Sequence, residues 1–237
     1  MIYSICKFNV EYTPKFERLE SRSRKYIAED QSVTPDFSLS VTDEKIDKHI
    51  EKYPMSRAQA EYVVAGVEFY RQLITRGAFF LHSAALCVDG LGFAFTGPCG
   101  AGKSTHASLW RAHFGDQVIS VNDDKPAIRF FDDVAYVCGT PFSGKHDINT
   151  NIIVPLCGIG ILEQSPENSI ERVSAKEAMT VLMEQTLRPE TVEEITALFN
   201  MLDKLLTTVP VYKFRCNISD DAVMMSYNTM KDNAQIK

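Results

Sequence analysis

Eight residues near the middle of the chain, residues 97–104, constrain its fold more than any other stretch. Two glycines bracket four residues, and Lys103 and Ser104 follow, which is the spacing of a phosphate-binding loop. In such a loop, backbone N–H groups surround phosphate oxygens, and the helix that follows favours the same anion at its N-terminus. The motif therefore predicts that a nucleoside phosphate is bound by Gly97, Pro98, Cys99, Gly100, Ala101, Gly102, Lys103, Ser104 and Thr105.

The residues on both sides of the loop fit this prediction. Residues 92–96 are apolar enough for a short buried strand. Leu109 and Trp110 provide packing positions on a helix that we expect from Lys103 to about Phe114, with Gly115 as its stop. The alternative is a glycine-rich turn that joins a strand to a helix and binds nothing.

The composition is that of an ordinary globular protein. Its 237 residues are 45% hydrophobic and 24% charged, enough for one large domain with a substantial core. The net charge of −6, without a basic patch, argues against a nucleic-acid partner. Because no leader pattern and no membrane-length apolar run occur, we predict a cytoplasmic protein without a membrane partner. Six scattered cysteines without a Cys-x-x-Cys pair favour buried free thiols.

The chain divides into two predicted parts. Residues 1–54 are expected to form a small β-rich extension, irregular over its middle thirty residues and without recognisable chemistry. Residues 55–230 are expected to form the nucleotide-binding domain, with a frayed end from Lys231. This domain begins with a helix that is capped by Ser56 and stopped by Gly77. One buried strand over residues 79–88 follows, and Asp89-Gly90 turns the chain back into the strand that precedes the loop.

A further strand, over residues 118–122, ends in two adjacent carboxylates, Asp123 and Asp124. Twenty residues separate Lys103 from Asp123, just enough for one helix, a turn and a strand. A right-handed crossover then places the end of this strand close to the phosphates. The alternative for the two aspartates is a solvated strand end.

The rest of the chain supplies a candidate substrate loop and packing elements. A hairpin over residues 127–138 leads into residues 139–147, where flanking glycines and a basic pair suggest a mobile lid or substrate loop. Its candidate contact residues are Ser143, Lys145 and His146, and a solvated turn is the alternative. Strands over residues 152–162 and 211–216, and a packing layer of helices over residues 175–187 and 190–206, complete the prediction.

Three motifs occur in order: His82-Ser83-Ala84, the loop at residues 97–104, and Asp123-Asp124. With the run His-Ser-Ala-Ala-Leu and then Phe-Thr-Gly-Pro-x-Gly-Ala-Gly-Lys-Ser-Thr, the sequence resembles small HPr-kinase-like proteins. These belong to the HPr kinase/phosphorylase and phosphoenolpyruvate carboxykinase superfamily, and the resemblance covers roughly residues 60–190. It implies an α/β fold with a mixed β-sheet P-loop core of that type, a small N-terminal β-rich extension and C-terminal helices.

The resemblance also implies roles for individual residues. Lys103 would contact the β- and γ-phosphates of ATP, while Ser104 and Asp124 would bind Mg²⁺ or Mn²⁺. Asp123 would take the proton of an attacking hydroxyl, and His82 would lie near the transferred phosphoryl group. The sequence does not fix which aspartate is the base and which binds the metal. For His82, a hydrogen-bonded histidine in a buried strand is the alternative.

The implied activity is transfer of the γ-phosphoryl group of ATP to a hydroxyl, either a serine in a peptide or protein or a small molecule. The Arg-Gly-Leu-Gly-type segment that the family uses with the HPr protein is not found, so HPr itself is not implied as the acceptor. The alternatives are a nucleotide-binding switch without an acceptor and a carboxykinase-like enzyme, which the short chain disfavours. The sequence leaves four points open: the identity of the acceptor, whether ATP or GTP is the donor, whether the chain also has phosphorylase activity, and whether it is a monomer or a homo-oligomer.

Overall fold

The computed structural model describes residues 1–232, and their first part is a three-stranded sheet with two helices. Strand β1 (Ile2–Ile5) pairs antiparallel with β2 (Phe8–Glu11), which pairs parallel with β3 (Phe37–Ser38). Helices α1 (Glu17–Ser23) and α2 (Asp43–Lys52) were not predicted.

Helix α1 was missed because its position depends on a distant residue. Its only buried apolar residue is Leu19, so it shows no helical periodicity. Its N-terminus is held by the buried carboxylate of Glu61, which accepts hydrogen bonds from Lys15 N and, at 3.1 Å, from Phe16 N. A carboxylate at a helix N-terminus is favoured by the helix dipole.

The predicted long helix is confirmed as α3 (Arg57–Ile74). The side chain of Ser56 accepts a hydrogen bond from Gln59 N, as expected of an N-cap. The helix ends three residues before Gly77, which takes a φ of +75° in the turn that leads to the central sheet.

Among the described residues, the central sheet has nine strands, which run in mixed directions. In chain order they are β4 (Ala78–Phe80), β5 (Ser83–Val88), β6 (Leu91–Thr96), β7 (Ile119–Asn122), β8 (Ala127–Phe131), β9 (Val134–Cys138), β10 (Ile153–Gln164), β11 (Ser169–Arg172) and β12 (Val211–Cys216). Their main order is β4-β8-β9-β10-β6-β5-β7, and β12 pairs with both β10 and β11. The long β10 runs parallel to β6 and to β12. The chain is therefore of mixed α/β class, with a curled mixed sheet.

The single strand predicted over residues 79–88 is wrong. It is two strands, β4 paired with β8, and β5 paired with β6 and β7. At the break, the N–H groups of Leu81 and His82 donate to Pro126 O and Gln185 O, outside any strand ladder. Two further points were not predicted: β5 lies between β6 and β7, and β11 pairs with β12.

In the part of the chain that the structure describes, four helices follow α3: α4 (Lys103–Phe114), α5 (Ala175–Glu184), α6 (Val192–Thr208) and α7 (Asp220–Asp232). The predicted limits of α4 are confirmed, with Gly115 at its C-terminus. Helix α7 was not predicted, and it corrects the prediction of a frayed end from Lys231. Lys231 is helical and its Nζ donates to Asp89 Oδ2 at 2.9 Å. The rest of that predicted frayed end, residues 233–237, lies outside the described residues.

The two faces of the sheet are covered by different helices. Successive strand residues point to opposite faces, and on β6 Phe93 and Phe95 pack with Trp110 of α4, while Ala94 belongs to the core cluster that includes residues of α5 and α6. A third cluster joins the N-terminal strands to α3 and includes Tyr3, Ile5, Phe8, Leu19, Ala65, Phe69, Leu73 and Phe142.

All six cysteines are free, and four of them are buried, Cys6, Cys87, Cys138 and Cys157. Cys216 is half-buried and Cys99 is exposed. Within residues 1–232, no helix combines the length and apolar character needed to cross a membrane.

Candidate active site

The loop at residues 97–104 connects β6 to the N-terminus of α4. Gly97 has a φ of +141°, and a Cβ there would lie 3.2 Å from Leu162 O, so this position requires glycine. Lys103 Nζ folds back over the loop and donates to Gly97 O at 2.8 Å and Pro98 O at 3.1 Å. The hydroxyl-bearing residues Ser104 and Thr105 are exposed at the start of α4.

His82 lies beside this loop, at the break between β4 and β5. Ser83 pairs with Thr96, the residue before Gly97, and Thr96 Oγ1 donates to His82 O at 2.8 Å. The His82 ring contacts two other side chains. Its Nε2 is 3.2 Å from Asp124 Oδ1, and its Nδ1 is 3.1 Å from Gln185 Oε1. The imidazole is one-third exposed, so it is not a fully buried core histidine.

Asp123 and Asp124 occupy the turn after β7, which a buried Asn122 shapes. Asn122 Oδ1 accepts from Asp124 N at 2.9 Å and from Lys125 N at 2.7 Å, a turn that asparagine favours. Because β5 and β7 are neighbours, the backbone of Asp124 reaches the start of β5, where Ser83 N donates to Asp124 O at 3.2 Å. His82, Asp124 and the loop are therefore joined through the strand that separates β6 from β7.

The two aspartates are perturbed in opposite directions. Burial raises the pKa of Asp123, although its Oδ1 accepts a hydrogen bond from Gly144 N at 2.7 Å. Burial would also raise the pKa of Asp124, but the hydrogen bond from His82 and the charge of Lys125 outweigh it. They hold the pKa of this carboxyl well below its usual range. Lys125 Nζ contacts Asp124 Oδ2, so both oxygens of Asp124 have a partner.

Burial lowers the pKa of Lys103, and the negative charge of Asp124 opposes this effect. Lys103 is thus within electrostatic reach of the aspartate turn as well as part of the loop.

The loop after β9 does not match a mobile lid along its whole length. Thr140, Phe142 and Ser143 are buried, and Ser143 Oγ lies between Asp147 Oδ1 at 2.9 Å and Asn149 Nδ2 at 3.0 Å. Lys145 and His146, by contrast, are exposed. The buried part is fixed by hydrogen bonds that sequence spacing does not reveal, which corrects the prediction of a mobile or solvated segment there.

Arg22, which the sequence did not single out, holds this loop. The Arg22 side chain on α1 is 8% exposed. Its Nη1 donates to Tyr62 Oη at 2.8 Å and to Ser143 O at 3.1 Å, and its Nε is 3.7 Å from Asp147 Oδ1. The positive charge of Arg22 also lowers the pKa of Asp123, against the effect of burial. No local motif marks Arg22, because its partners are 40 and 121 residues away in the chain.

The side chains around the aspartate turn suit Mg²⁺, which takes phosphate and water ligands as well, better than they suit a metal whose ligands all come from the protein. Among residues 1–232, no group of three or more His, Cys, Asp or Glu side chains could hold a metal ion. Mg²⁺ prefers oxygen ligands and is commonly bound by one or two carboxylates together with substrate phosphates and water. An ionised Asp124 fits that pattern, provided that Lys125 moves off its Oδ2.

The chain matches no protein-family model, and no curated protein matches it. Among solved structures, it is similar to the HPr(Ser) kinase/phosphatase from Coxiella burnetii, with 11% sequence identity and a TM-score of 0.34. The similarity covers 65% of this chain and 95% of that chain. At this level it supports a distant structural relationship at most, and no residue is assigned from it.

Proposed function

We propose that this chain is an ATP-dependent kinase with an HPr-kinase-like P-loop core, which transfers the γ-phosphoryl group to a hydroxyl. The acceptor is a serine in a peptide or protein, or a small molecule. The observation that carries the proposal is the series of contacts from the loop at residues 97–104 through His82 to Asp124. Phosphoryl transfer needs a phosphate cradle, charge neutralisation and one positioned base, and we propose the loop, Lys103 with Asp124, and the adjacent Asp123 for these three roles.

In the proposed reaction, Asp123 is the base. It takes the proton of the acceptor hydroxyl while the acceptor oxygen bonds to the γ-phosphorus and the bond to the bridging oxygen of ADP breaks. A buried carboxyl with a raised pKa is a better proton acceptor than an exposed one at neutral pH, because its pKa is closer to the operating pH. The hydrogen bond from Gly144 N orients this carboxylate.

We assign Lys103 and Asp124 to neutralising the negative charge of the phosphates, Lys103 directly and Asp124 through the metal ion. Lys103 leaves the carbonyls of Gly97 and Pro98 to contact the β- and γ-phosphates. Asp124 and Ser104 hold Mg²⁺ or Mn²⁺, whose role when bound is to neutralise phosphate oxygens. His82 keeps Asp124 ionised and oriented through the contact at 3.2 Å.

The acceptor approaches Asp123 along the loop after β9. Gly144 joins Asp123 to the exposed Lys145 and His146, which we propose as acceptor contacts. Ser143, which the sequence suggested as an acceptor contact, is not part of this proposal, because it is buried and its hydroxyl donates to Asp147.

Incubation with γ-labelled ATP and Mg²⁺, with either a degenerate serine-peptide library or a panel of small hydroxyl compounds, tests the proposal. We expect label on one of the two kinds of acceptor and stoichiometric ADP from the wild-type protein, and neither from Lys103→Ala. The lost charge-assisted contact is worth about 1.5–3 kcal/mol, so ATP affinity by calorimetry falls roughly 10- to 100-fold. Lys176→Ala, which removes an exposed lysine from α5, is the control and keeps wild-type affinity.

The other candidate activities give different results in the same assay. A nucleotide-binding switch binds ATP and hydrolyses it slowly, with no label on any peptide or small hydroxyl compound. A carboxykinase-like enzyme forms phosphoenolpyruvate when oxaloacetate is supplied. A folded Lys103→Ala variant with wild-type ATP affinity contradicts the assignment of the loop itself.

A further inference from the structure

Lys125 follows the two aspartates of the turn directly and has no part in the reaction proposed above. Its Nζ contacts Asp124 Oδ2, the carboxylate oxygen that is not in contact with His82. Among residues 1–232, Asp124 is the only partner of this ammonium group. A lysine therefore occupies one oxygen of the carboxylate that we assign to the metal ion.

Of the two side chains that contact Asp124, Lys125 is the one that can move away. His82 N donates to Gln185 O at 2.7 Å, His82 O accepts from Thr96 Oγ1, and the ring Nδ1 is 3.1 Å from Gln185 Oε1. The Lys125 side chain, in contrast, is 39% exposed, and its ammonium group is carried on a flexible stem. Two cations repel each other at one oxygen, so Lys125 leaves Asp124 when an ion binds there, and His82 stays.

The backbone of Lys125 is fixed and cannot follow the side chain. Lys125 N donates to Asn122 Oδ1 at 2.7 Å. The carbonyl oxygen of Lys125 accepts from Tyr70 Oη at 2.6 Å and lies 2.8 Å from Thr140 Oγ1. All three of these partners are buried. Only the side chain of Lys125 can rotate, so the displaced ammonium group stays beside the aspartate turn.

Two kinds of anion are available to the displaced ammonium group, the carboxylate of Asp123 and the phosphates of a nucleotide. Asp123 already accepts a hydrogen bond from Gly144 N at 2.7 Å and interacts with the positive charge of Arg22. The transferred γ-phosphoryl group spreads its negative charge over three oxygens and has no such partners before it binds. The compact charge of a lysine is a common ligand of phosphate. The nucleotide is therefore the favoured partner.

We propose that Lys125 is a further catalytic residue, which takes the place of the metal ion on Asp124 in the free protein and contacts the γ-phosphoryl group once nucleotide and ion are bound. This inference rests on the proposed function, which supplies the nucleotide and the ion. In the free protein Lys125 competes with metal ions for Asp124, so an ion binds together with the nucleotide rather than before it. In the complex the ammonium group stabilises the negative charge of the transferred group.

The first test measures metal binding without nucleotide. Mn²⁺ is titrated against the protein, and the free ion is measured by electron paramagnetic resonance. We expect Lys125→Met, which keeps an apolar side chain of similar length and removes the charge, to bind Mn²⁺ at least fivefold more tightly than the wild-type protein. Adding Asp124→Asn to Lys125→Met should abolish this gain, because it removes the carboxylate for which the lysine competes.

Two controls separate this competition from a general effect of charge. Lys204→Met removes a lysine that is also 39% exposed and also pairs with an aspartate, Asp133, away from the site. Lys103→Met removes a charge that interacts with Asp124, although Lys103 Nζ donates to carbonyls of the loop instead. Both variants should change Mn²⁺ affinity less than twofold.

The second test measures the contact with the γ-phosphoryl group. ADP and the non-hydrolysable analogue β,γ-imido-ATP are compared by calorimetry in the presence of Mg²⁺. We expect the preference for the analogue over ADP to fall at least fivefold in Lys125→Met and to be unchanged in Lys204→Met. Lys125→Arg keeps a cation at this position, so its preference should stay within threefold of the wild-type value.

The outcomes separate this inference from the proposed function. A folded Lys125→Met variant with wild-type Mn²⁺ affinity and a wild-type preference for the analogue overturns the inference. A gain in Mn²⁺ affinity with an unchanged preference overturns the contact with the γ-phosphoryl group. Both expected effects without label on any acceptor overturn the kinase and leave the two positions of Lys125 intact. A wild-type protein that binds neither nucleotide overturns the proposed function and this contact together.

Discussion

At the scale of single residues, Asp123 and Asp124 occupy the same turn but have opposite electrostatic environments. Burial raises the pKa of Asp123, whereas His82 and Lys125 overcome burial at Asp124 and lower its pKa. Neighbouring carboxyls with pKa values that are pushed apart take different chemical roles. The more basic group suits proton transfer, and the permanently ionised one suits a metal ion. This favours Asp123 as base and Asp124 as metal ligand, a choice that the sequence left open.

Substitution of Asp123 and substitution of Asp124 should therefore affect ATP binding and kcat differently. Asp124→Asn should weaken Mg²⁺-dependent ATP binding at least tenfold, because the amide carries no charge for the ion. Asp123→Asn should leave ATP affinity near wild type and lower kcat by about 10²–10⁴, the usual contribution of a general base. Calorimetry and steady-state kinetics separate the two effects. Equal losses of ATP affinity in both variants would contradict this division of roles.

His106 should make the protein sensitive to acid. Burial lowers the pKa of His106 to about 4 in the folded chain, against 6.5 when the ring is exposed, so the unfolded chain binds a proton first as pH falls. The free energy of unfolding therefore keeps its full value above pH 6.5 and decreases as pH falls towards 4. Between pH 7 and pH 5, protonation of His106 lowers the free energy of unfolding by about 2 kcal/mol.

Urea unfolding at pH 7 and pH 5 measures this cost. His106→Gln should lose less stability than wild type over this interval, by about the same 2 kcal/mol. The control is His146→Gln, which removes an exposed imidazole and should keep the wild-type dependence. If His106→Gln loses as much stability as wild type, His106 is already charged in the folded protein.

At the scale of elements, what could be predicted from the sequence depended on short-range signals. The loop, the limits of α4, the hairpin of β8 and β9, and the cap at Ser56 follow from residues within a few positions of each other. The break between β4 and β5 could not be predicted, because it depends on hydrogen bonds to Pro126 and Gln185.

The same limit applies to the site. Asp123 and Asp124 stand at a visible strand end. Arg22 is marked by no motif, and its role depends on contacts between α1 and the loop after β9.

Helix α1 should act on the site through Arg22 as a positioning residue. Arg22→Gln removes a charge that lowers the pKa of Asp123, so that pKa rises further in the variant. Since the base must be ionised, the acidic limb of the kcat/KM profile should move to higher pH. The loss of charged hydrogen bonds should also lower stability by about 1.5–3 kcal/mol.

Arg24→Gln is the matched control for Arg22→Gln. Arg24 follows α1 directly, but its side chain is 64% exposed and pairs with Glu20 on the surface. This variant should keep the pH profile and the stability of the wild-type protein, since exposed ion pairs contribute little. A loss of stability in Arg22→Gln without a shifted acidic limb would show that Arg22 supports the fold alone.

At the scale of the whole molecule, the N-terminal extension shares a core with the part that carries the site. Tyr3, Ile5 and Leu19 pack in one cluster with Phe69 of α3 and Phe142 of the loop after β9. Removing residues 1–54 would expose the apolar face of α3. We therefore expect the predicted boundary at residues 54 and 55 to separate two regions of sequence that fold together.

Thermal unfolding of Leu19→Ala tests this expectation. Leu19 is 1% exposed, so its truncation should cost about 2–5 kcal/mol, and for a chain of this size Tm falls roughly 2–4 °C per kcal/mol. If the two parts fold together, the wild-type protein shows one transition, and the whole of it moves to lower temperature in Leu19→Ala. The calorimetric and van't Hoff enthalpies should also agree in both proteins. Val192→Ala, at a position that is 77% exposed, should leave Tm unchanged. Two transitions, of which Leu19→Ala shifts only the first, would instead make residues 1–54 a separate domain. The link from α1 to Asp123 would then be lost before the rest of the chain unfolds.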